Sequence, residues 1–264
     1  MPQSSTAIVL ALAVGAHAGT AERRHRHAIV DRDGSPLPRY DAIKGHSSST
    51  PPGGTNSLNV LDFGATSDCS SLTNSASNVA SFQAALDAAA QAGGGMVFAP
   101  SGCYAFDGEL TVSAGVTLAG SWQTVPSHGV TNGHKPVDGV GTSLLPLANR
   151  GCAAVVSDDG STDGGCASPF ITLTENAKLQ GVSIFYPEQV TNEPPASYPY
   201  SIAMVGNNPA VTDVELLNSW NGISAVGAHR HYIARVQGQP TNIGLFVDAT
   251  YDIGRIEDVH WNPW

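Results

Sequence analysis

The run from Ala210 to Trp264 repeats a short pattern: VTDVEL at Val211, IARVQG at Ile233 and IGRIED at Ile253 each read apolar, two residues, apolar. The copies recur with a period of roughly 20 residues, which suits one turn of a solenoid better than an ordinary globular sheet. A second apolar position keeps step, since Ile223 follows Val211 by twelve residues and Leu245 follows Ile233 by twelve. The spacing predicts stacked coils of short strands. A chain that turns so often needs small residues and residues that tolerate positive φ. The 29 glycines and the frequent Asn, Ser and Thr meet that need, and charged residues, hard to place in such stacks, are only 13% of the chain.

The remaining segments fall into order around this body. Ala7 to Val14 is an apolar stretch of the length found in secretory signals, and Ala16-His17-Ala18 supplies small residues at the positions a signal peptidase reads. Residues 1–18 are therefore expected to direct secretion, and the segment is too short and interrupted to anchor in a membrane. Residues 19–57 show no periodicity, and HSSSTPPGGTNS has linker composition, which predicts a disordered pro-segment or linker. The coil domain is expected over 58–264. A helix opens it: Asn78 is the expected cap of VASFQAALDAAAQA, with Val79, Phe82, Leu86 and Ala89 on one face and Gly93-Gly94-Gly95 as the stop. Its apolar stripe is expected to cover the open end of the solenoid. Short strands follow at Met96–Pro100, Gly108–Val112, Val116–Ala119, Phe170–Thr174, Leu179–Phe185 and Ser201–Val205. Two longer loops, Ser121–Val140 and Tyr186–Pro199, interrupt the series, and insertions of this kind shape binding surfaces. The copy beginning at Ile253 should run on for a full coil, yet the chain stops at Trp264. The expectation is that C-terminal coils of a longer protein are missing.

A net charge of -10 disfavours nucleic acid as a partner, because no basic field offsets phosphates. It also disfavours a polyanionic glycan unless local Arg and Lys or calcium intervene. The four cysteines, Cys69, Cys103, Cys152 and Cys166, are even in number in a chain expected to be secreted, which predicts two disulfides. Spacing leaves three pairings open, of which Cys69 with Cys103 and Cys152 with Cys166 is favoured.

Residues 59–120 carry a more specific signal. NVLDFGA at Asn59, the helix ASFQAALDAAAQAGGG, MVFAPSGCY ending at Tyr104, and LTVSAGVTLAG from Leu110 to Gly120 together resemble the N-terminal part of the pectate lyase superfamily, in particular its rhamnogalacturonase and epimerase-like branch. The Asp-rich segment usual between the first strand and the helix reads TSDCSSLTNSASNVAS here and keeps only Asp68. The resemblance implies an all-β fold, a right-handed parallel β-helix with an N-terminal capping helix, in a protein that acts on or binds polysaccharide. It implies no chemistry by itself, since hydrolases, lyases, epimerases and tail spikes share this capping device. The carboxylates Asp158-Asp159 lack the Gly-His-Gly and Arg-Ile-Lys motifs that accompany them in polygalacturonase-like relatives.

Candidates for chemistry cluster late in the chain. Hydrolysis needs two carboxylates across a cleft; elimination needs a basic residue near the substrate proton and a cation, calcium among them, beside the uronate carboxylate. No other cofactor or metal is expected. His229 and Arg230, with Asp252 and Asp258 in the next coil, are the candidate catalytic residues, and Arg235 and Asp213 could lie near them. Arg230 and Asp252 read equally as a solvated surface ion pair. His231 shares a side with His229 if the segment is extended. His231, Trp220, His260, Trp261 and Trp264 are the candidate sugar-binding residues, because an indole face suits the C–H face of a sugar ring; Trp122 is similar. Asp258 poses a conflict: if Ile256 faces inward, alternation would send Asp258 inward as well. A non-catalytic carbohydrate-binding or structural β-helix remains the alternative reading.

Overall fold

In a regular strand residues three apart face opposite ways, so Val211 and Val214 can both be interior only if the alternation breaks between them. The computed structural model describes residues 57–124, 136, 139–152, 155–156, 162–163, 168–189 and 193–262, all within one compact unit, Ile43–Trp264. Within it Val211 and Val214 are both fully buried, as are Leu179 and Val182, Ile233 and Val236. The break is a left-handed residue: Gly181, Asp213, Arg235 and Asp258 have φ of 66°, 57°, 51° and 54°. Strand register aligns these four in one column. Each shifts the alternation by one step, so an apolar residue on either side faces the core.

This column also resolves the conflict over Asp258 and corrects the third repeat. Ile233 pairs with Ile256, not with Ile253, and Val236 pairs with Val259. The copy in register is therefore IEDV at Ile256, with Asp258 in the left-handed position. Ile253 lies before the strand and is 83% exposed.

The strands are β1 (Ser57–Asn59), β2 (Gly95–Phe98), β3 (Gly102–Phe106), β4 (Leu110–Val112), β5 (Val116–Ala119) and β6 (Thr142–Pro146). After them come β7 (Val155–Val156), β8 (Thr162–Asp163), β9 (Ile171–Leu173), β10 (Lys178–Phe185), β11 (Tyr200–Met204) and β12 (Gly206–Asn207). The last are β13 (Ala210–Leu217), β14 (Asn221–Val226), β15 (Ala228–His229), β16 (Tyr232–Gly238), β17 (Ile243–Asp248) and β18 (Arg255–Trp261). A long parallel sheet runs β1-β2-β5-β10-β13-β16-β18 and is joined through β10 by β6 and β3; a second runs β4-β9-β11-β14-β17. Among the described residues only β7 and β8 pair antiparallel. Ile223 pairs with Leu245 as the repeat predicts. The fold is a right-handed parallel β-helix, with Val, Ile and Leu of successive coils stacked in one interior core.

The helix α1 (Ser75–Gln91) covers the first coil. Phe82, Leu86 and Ala89 are buried and Val79 packs at the edge; Phe82 meets Tyr104 and Phe106 edge-on at 5.2 and 4.9 Å. The cap differs from expectation. Asn74 holds that position, and Asn78 lies one turn inside as a buried clamp. Its Nδ2 donates to Thr66 O and Ala105 O, and its Oδ1 accepts from Thr66 N. A buried amide that bonds three backbone groups is worth more there than at a solvated terminus. At the other end Gly94 (φ 109°) passes so close to the next coil that a Cβ would sit 2.7 Å from Gly115 O. No helix among the described residues is long and apolar enough to cross a membrane.

The segment after β1 folds over the outer side of the long sheet. Cys69 and Cys103 form a disulfide with Cα atoms 4.9 Å apart, Asp68 N donates to Cys103 O, and Cys103 N donates to Ser67 Oγ. Cys69 and Leu72 pack on a second, outer cluster of Cys103, Ala105, Leu145, Phe185 and Leu217. Cys152 is also disulfide-bonded. Cys166, Asp158, Asp159 and Trp264 lie outside the described residues.

Candidate functional site

Because Val214 and Leu216 face the core, Glu215 and Leu217 face outward. Register places Ser143, Ser183, Glu215, Gln237 and His260 in one row across β6, β10, β13, β16 and β18. Strands about 4.8 Å apart make such a row a polar stripe along the helix axis. Glu215 is fully buried, and Ser183 Oγ donates to its Oε2 at 3.4 Å. Burial pushes its carboxyl up to about 8, against the opposing pull of the Ser183 bond.

Beside this stripe lies a cluster of ionisable groups from four strands. Arg235 and Asp213, stacked in the left-handed column, form a bidentate pair: Nε to Oδ1 and Nη2 to Oδ2, each 2.7 Å. That bonding holds the guanidinium well above its usual range. Tyr232 donates its phenol to Glu257 Oε1 at 2.6 Å, which raises the phenol. Half-buried Lys178 is lowered, chiefly by desolvation; Asp213 opposes this and Arg235 adds to it. Lys178, Ala210, Tyr232 and Arg255 share one row. Two cations thus lean on the carboxylate of Asp213, which is itself largely covered while Arg235 is exposed.

The candidates from sequence separate into two places. His229, Arg230 and Asp252 come together at a corner of the coil: Arg230 Nε donates to Asp252 Oδ2, and the His229 ring stacks on Tyr251 with centroids 3.7 Å apart. Asp252 is held below the usual carboxylate range, first by the Ile253 N–H and then by Arg230. Asp258 is not at this corner but in the left-handed column next to Arg235. Arg230 is itself left-handed, φ 53°, so His229 and His231 do not follow strand alternation. His231 is buried, its Nδ1 donating to Ala228 O at 2.7 Å, and its ring fills the space a Cβ on Gly254 would take. Trp220 and Trp261 pack partly buried against the interior core, the Trp261 indole over Gly244. Trp122 is buried. His260 is exposed at the end of the polar row.

Sequence reasoning missed Lys178, Tyr232 and Glu215. The signal was available in the period, since Asp213 and Arg235 lie one coil apart. Among the described residues no group of three or more His, Cys, Asp or Glu is placed to hold a metal ion.

Residues 57–143 match the family model described as rhamnogalacturonase A/epimerase, pectate lyase-like. A comparison with curated proteins finds no match. Among solved structures, a protein from Parabacteroides merdae with the provisional name glycosyl hydrolase is 16% identical, covering 78% of this chain and 96% of its own, at a TM-score of 0.41. The A-modules of the Azotobacter vinelandii mannuronan C-5 epimerases AlgE4 and AlgE6 are 19% and 20% identical, at TM-scores of 0.39 and 0.25. Each match covers 78% of this chain and, respectively, 53% and 55% of the module, so the chain spans about half their length. No chemistry transfers at these scores. The capping helix, the first coils and the parallel ladders, taken with the family match over residues 57–143, associate this chain distantly with the pectate-lyase and epimerase-like superfamily.

Proposed function

We propose that this protein is an extracellular carbohydrate-active enzyme that binds an acidic polysaccharide along the outer face of the long sheet and cleaves it by elimination. The observation that carries this reading is the cluster of Lys178, Asp213, Arg235, Tyr232 and Glu257, joined across β10, β13, β16 and β18. Elimination needs a base for the proton alpha to the uronate carboxylate, a cation to stabilise the carbanion-like transition state, and an acid for the departing glycosidic oxygen. Lys178, lowered by burial, supplies the base; Arg235 supplies the cation; Tyr232, which interacts with Arg235, supplies the acid. Lys178 and Arg235 offset the carboxylates of Asp213 and Glu257, so this patch is locally near neutral on an otherwise acidic protein and repels a uronate less than the surface as a whole.

A second reading rests on Glu215. A carboxyl that keeps its proton at neutral pH is what a glycosidase asks of its general acid, and Asp213 lies two residues away on the same strand. Burial of Glu215 makes this the weaker reading. Full-length protein incubated with uronate polymers and with neutral glucans, with and without calcium, separates them. Elimination yields an unsaturated product with new ultraviolet absorbance; hydrolysis yields reducing ends without it. Binding without either product would leave a carbohydrate-binding module, and absence of both binding and product on every polymer would sink the proposal.

A further inference from the structure

The second interruption of the coil, after Phe185, borders a further feature. Tyr186, Tyr198 and Tyr200, from and beside the 186–199 segment, line a cleft with Phe170, Glu109 and Asn149. Two of the three phenols are satisfied: Tyr186 Oη bonds Ser201 Oγ at 2.9 Å, and Tyr198 Oη donates to Glu188 Oε2 at 3.3 Å. The third is not. Tyr200 is 5% exposed, and its hydroxyl is buried without a hydrogen-bond partner. At the rim Asn149 Nδ2 donates to Glu109 Oε1 at 3.0 Å, and Glu109 is itself exposed.

Buried hydroxyls are almost always paired, so an orphan beside a cleft asks for an occupant. We propose that this cleft is a second carbohydrate subsite that takes the edge of a neutral pyranose. One ring hydroxyl reaches Tyr200 Oη inside the cleft, a neighbouring hydroxyl meets Glu109 at the rim, and the aromatic walls face the C–H bonds of the ring. The closed part of the cleft has room for a group about the size of one hydroxyl, so the site grips an edge and not a whole ring. Neutrality follows from the charges around it: Glu109 and Glu188 stand against Arg150, which lies close enough to bond Tyr198. A uronate carboxylate would meet a net negative rim. This subsite is independent of the elimination reading and uses none of its residues.

The test is titration of the full chain with cellobiose, mannobiose and galactobiose, and with digalacturonate as the charged control, followed by calorimetry and by tyrosine ring signals in NMR. At least one neutral disaccharide is expected to bind and to shift the Tyr198 and Tyr200 rings, with digalacturonate leaving those rings unmoved. Tyr200→Phe, which keeps the ring packing, should weaken that binding about tenfold, and Glu109→Gln should weaken it less. Arg235→Gln should leave it unchanged, so failure here is separable from failure on the outer face. The proposal is overturned if none of the three neutral sugars shifts those rings, or if Tyr200→Phe binds as well as the parent, which would mean that the phenol makes no bond to the sugar.

Discussion

Replacing Glu215 by Gln should make this protein more stable at neutral pH. The parent carboxyl is fully buried and titrates near 8, against an ordinary value of 4.5. At pH 7 the unfolded chain has released that proton and the folded chain has kept it, so folding must take a proton from neutral solution. Linkage puts the cost at about 3 kcal/mol at pH 7, growing to about 5 kcal/mol above pH 8 and vanishing below pH 4.5. The favourable contribution of this group is therefore complete at low pH and is lost as pH rises toward 8. Gln has nearly the same shape, cannot ionise, and still offers an oxygen to the Ser183 hydroxyl. Urea unfolding of parent and variant at intervals from pH 4.5 to 8.5 isolates the effect, because every other titrating group cancels in the difference. The variant should gain stability steadily across that window and match the parent at its acid end. A difference that is flat with pH, or a variant less stable at pH 8 than the parent, would refute the placement of Glu215 in a desolvated row.

Other substitutions probe the bridge, the left-handed column and the outer face. Opening the Cys69–Cys103 bridge, which closes 34 residues of chain, should cost about 4 kcal/mol, seen as a lower melting temperature for Cys69→Ser with Cys103→Ser. Asp258→Gly should stabilise by about 1 kcal/mol, since it removes a side chain from a left-handed position. Gly181→Ala in the same column should instead destabilise, because its Cβ would sit 2.4 Å from Trp122 O; denaturant midpoints compare the two. Arg235→Gln should change stability by no more than about 1 kcal/mol, as expected for a pair whose arginine is 45% exposed, while abolishing turnover of a uronate polymer.

The solenoid was legible because one coil must place equivalent apolar residues at equal intervals, and VTDVEL and IARVQG do so on adjacent, paired strands. Its backbone cause was not, since a left-handed Asp or Arg inside a strand leaves no compositional mark. The same gap displaced the third repeat: Ile253 matches the pattern by eye, but the coil runs slightly longer there and Ile256 takes the position. Asn78 was a reasonable cap by residue type, and only the tertiary partners Thr66 and Ala105 reveal why it sits inside the helix. Of the four candidate catalytic residues, His229, Arg230 and Asp252 are neighbours in the structure, whereas Asp258 lies apart in the left-handed column. The Asp213–Arg235 pair needed the coil period applied to charged residues as well as apolar ones. Burial of Glu215 and His231 depends on what covers each face, which periodicity does not encode.

The most direct measurement of the central claim is hydrogen exchange of the full chain with and without a bound uronate polymer. Binding along the outer face should slow exchange in β13 and β16, at residues 210–217 and 232–238, and Arg235→Gln should remove that protection. Protection confined to the Tyr200 cleft or to the corner at His229 and Asp252, or none anywhere at saturating polymer, would contradict it.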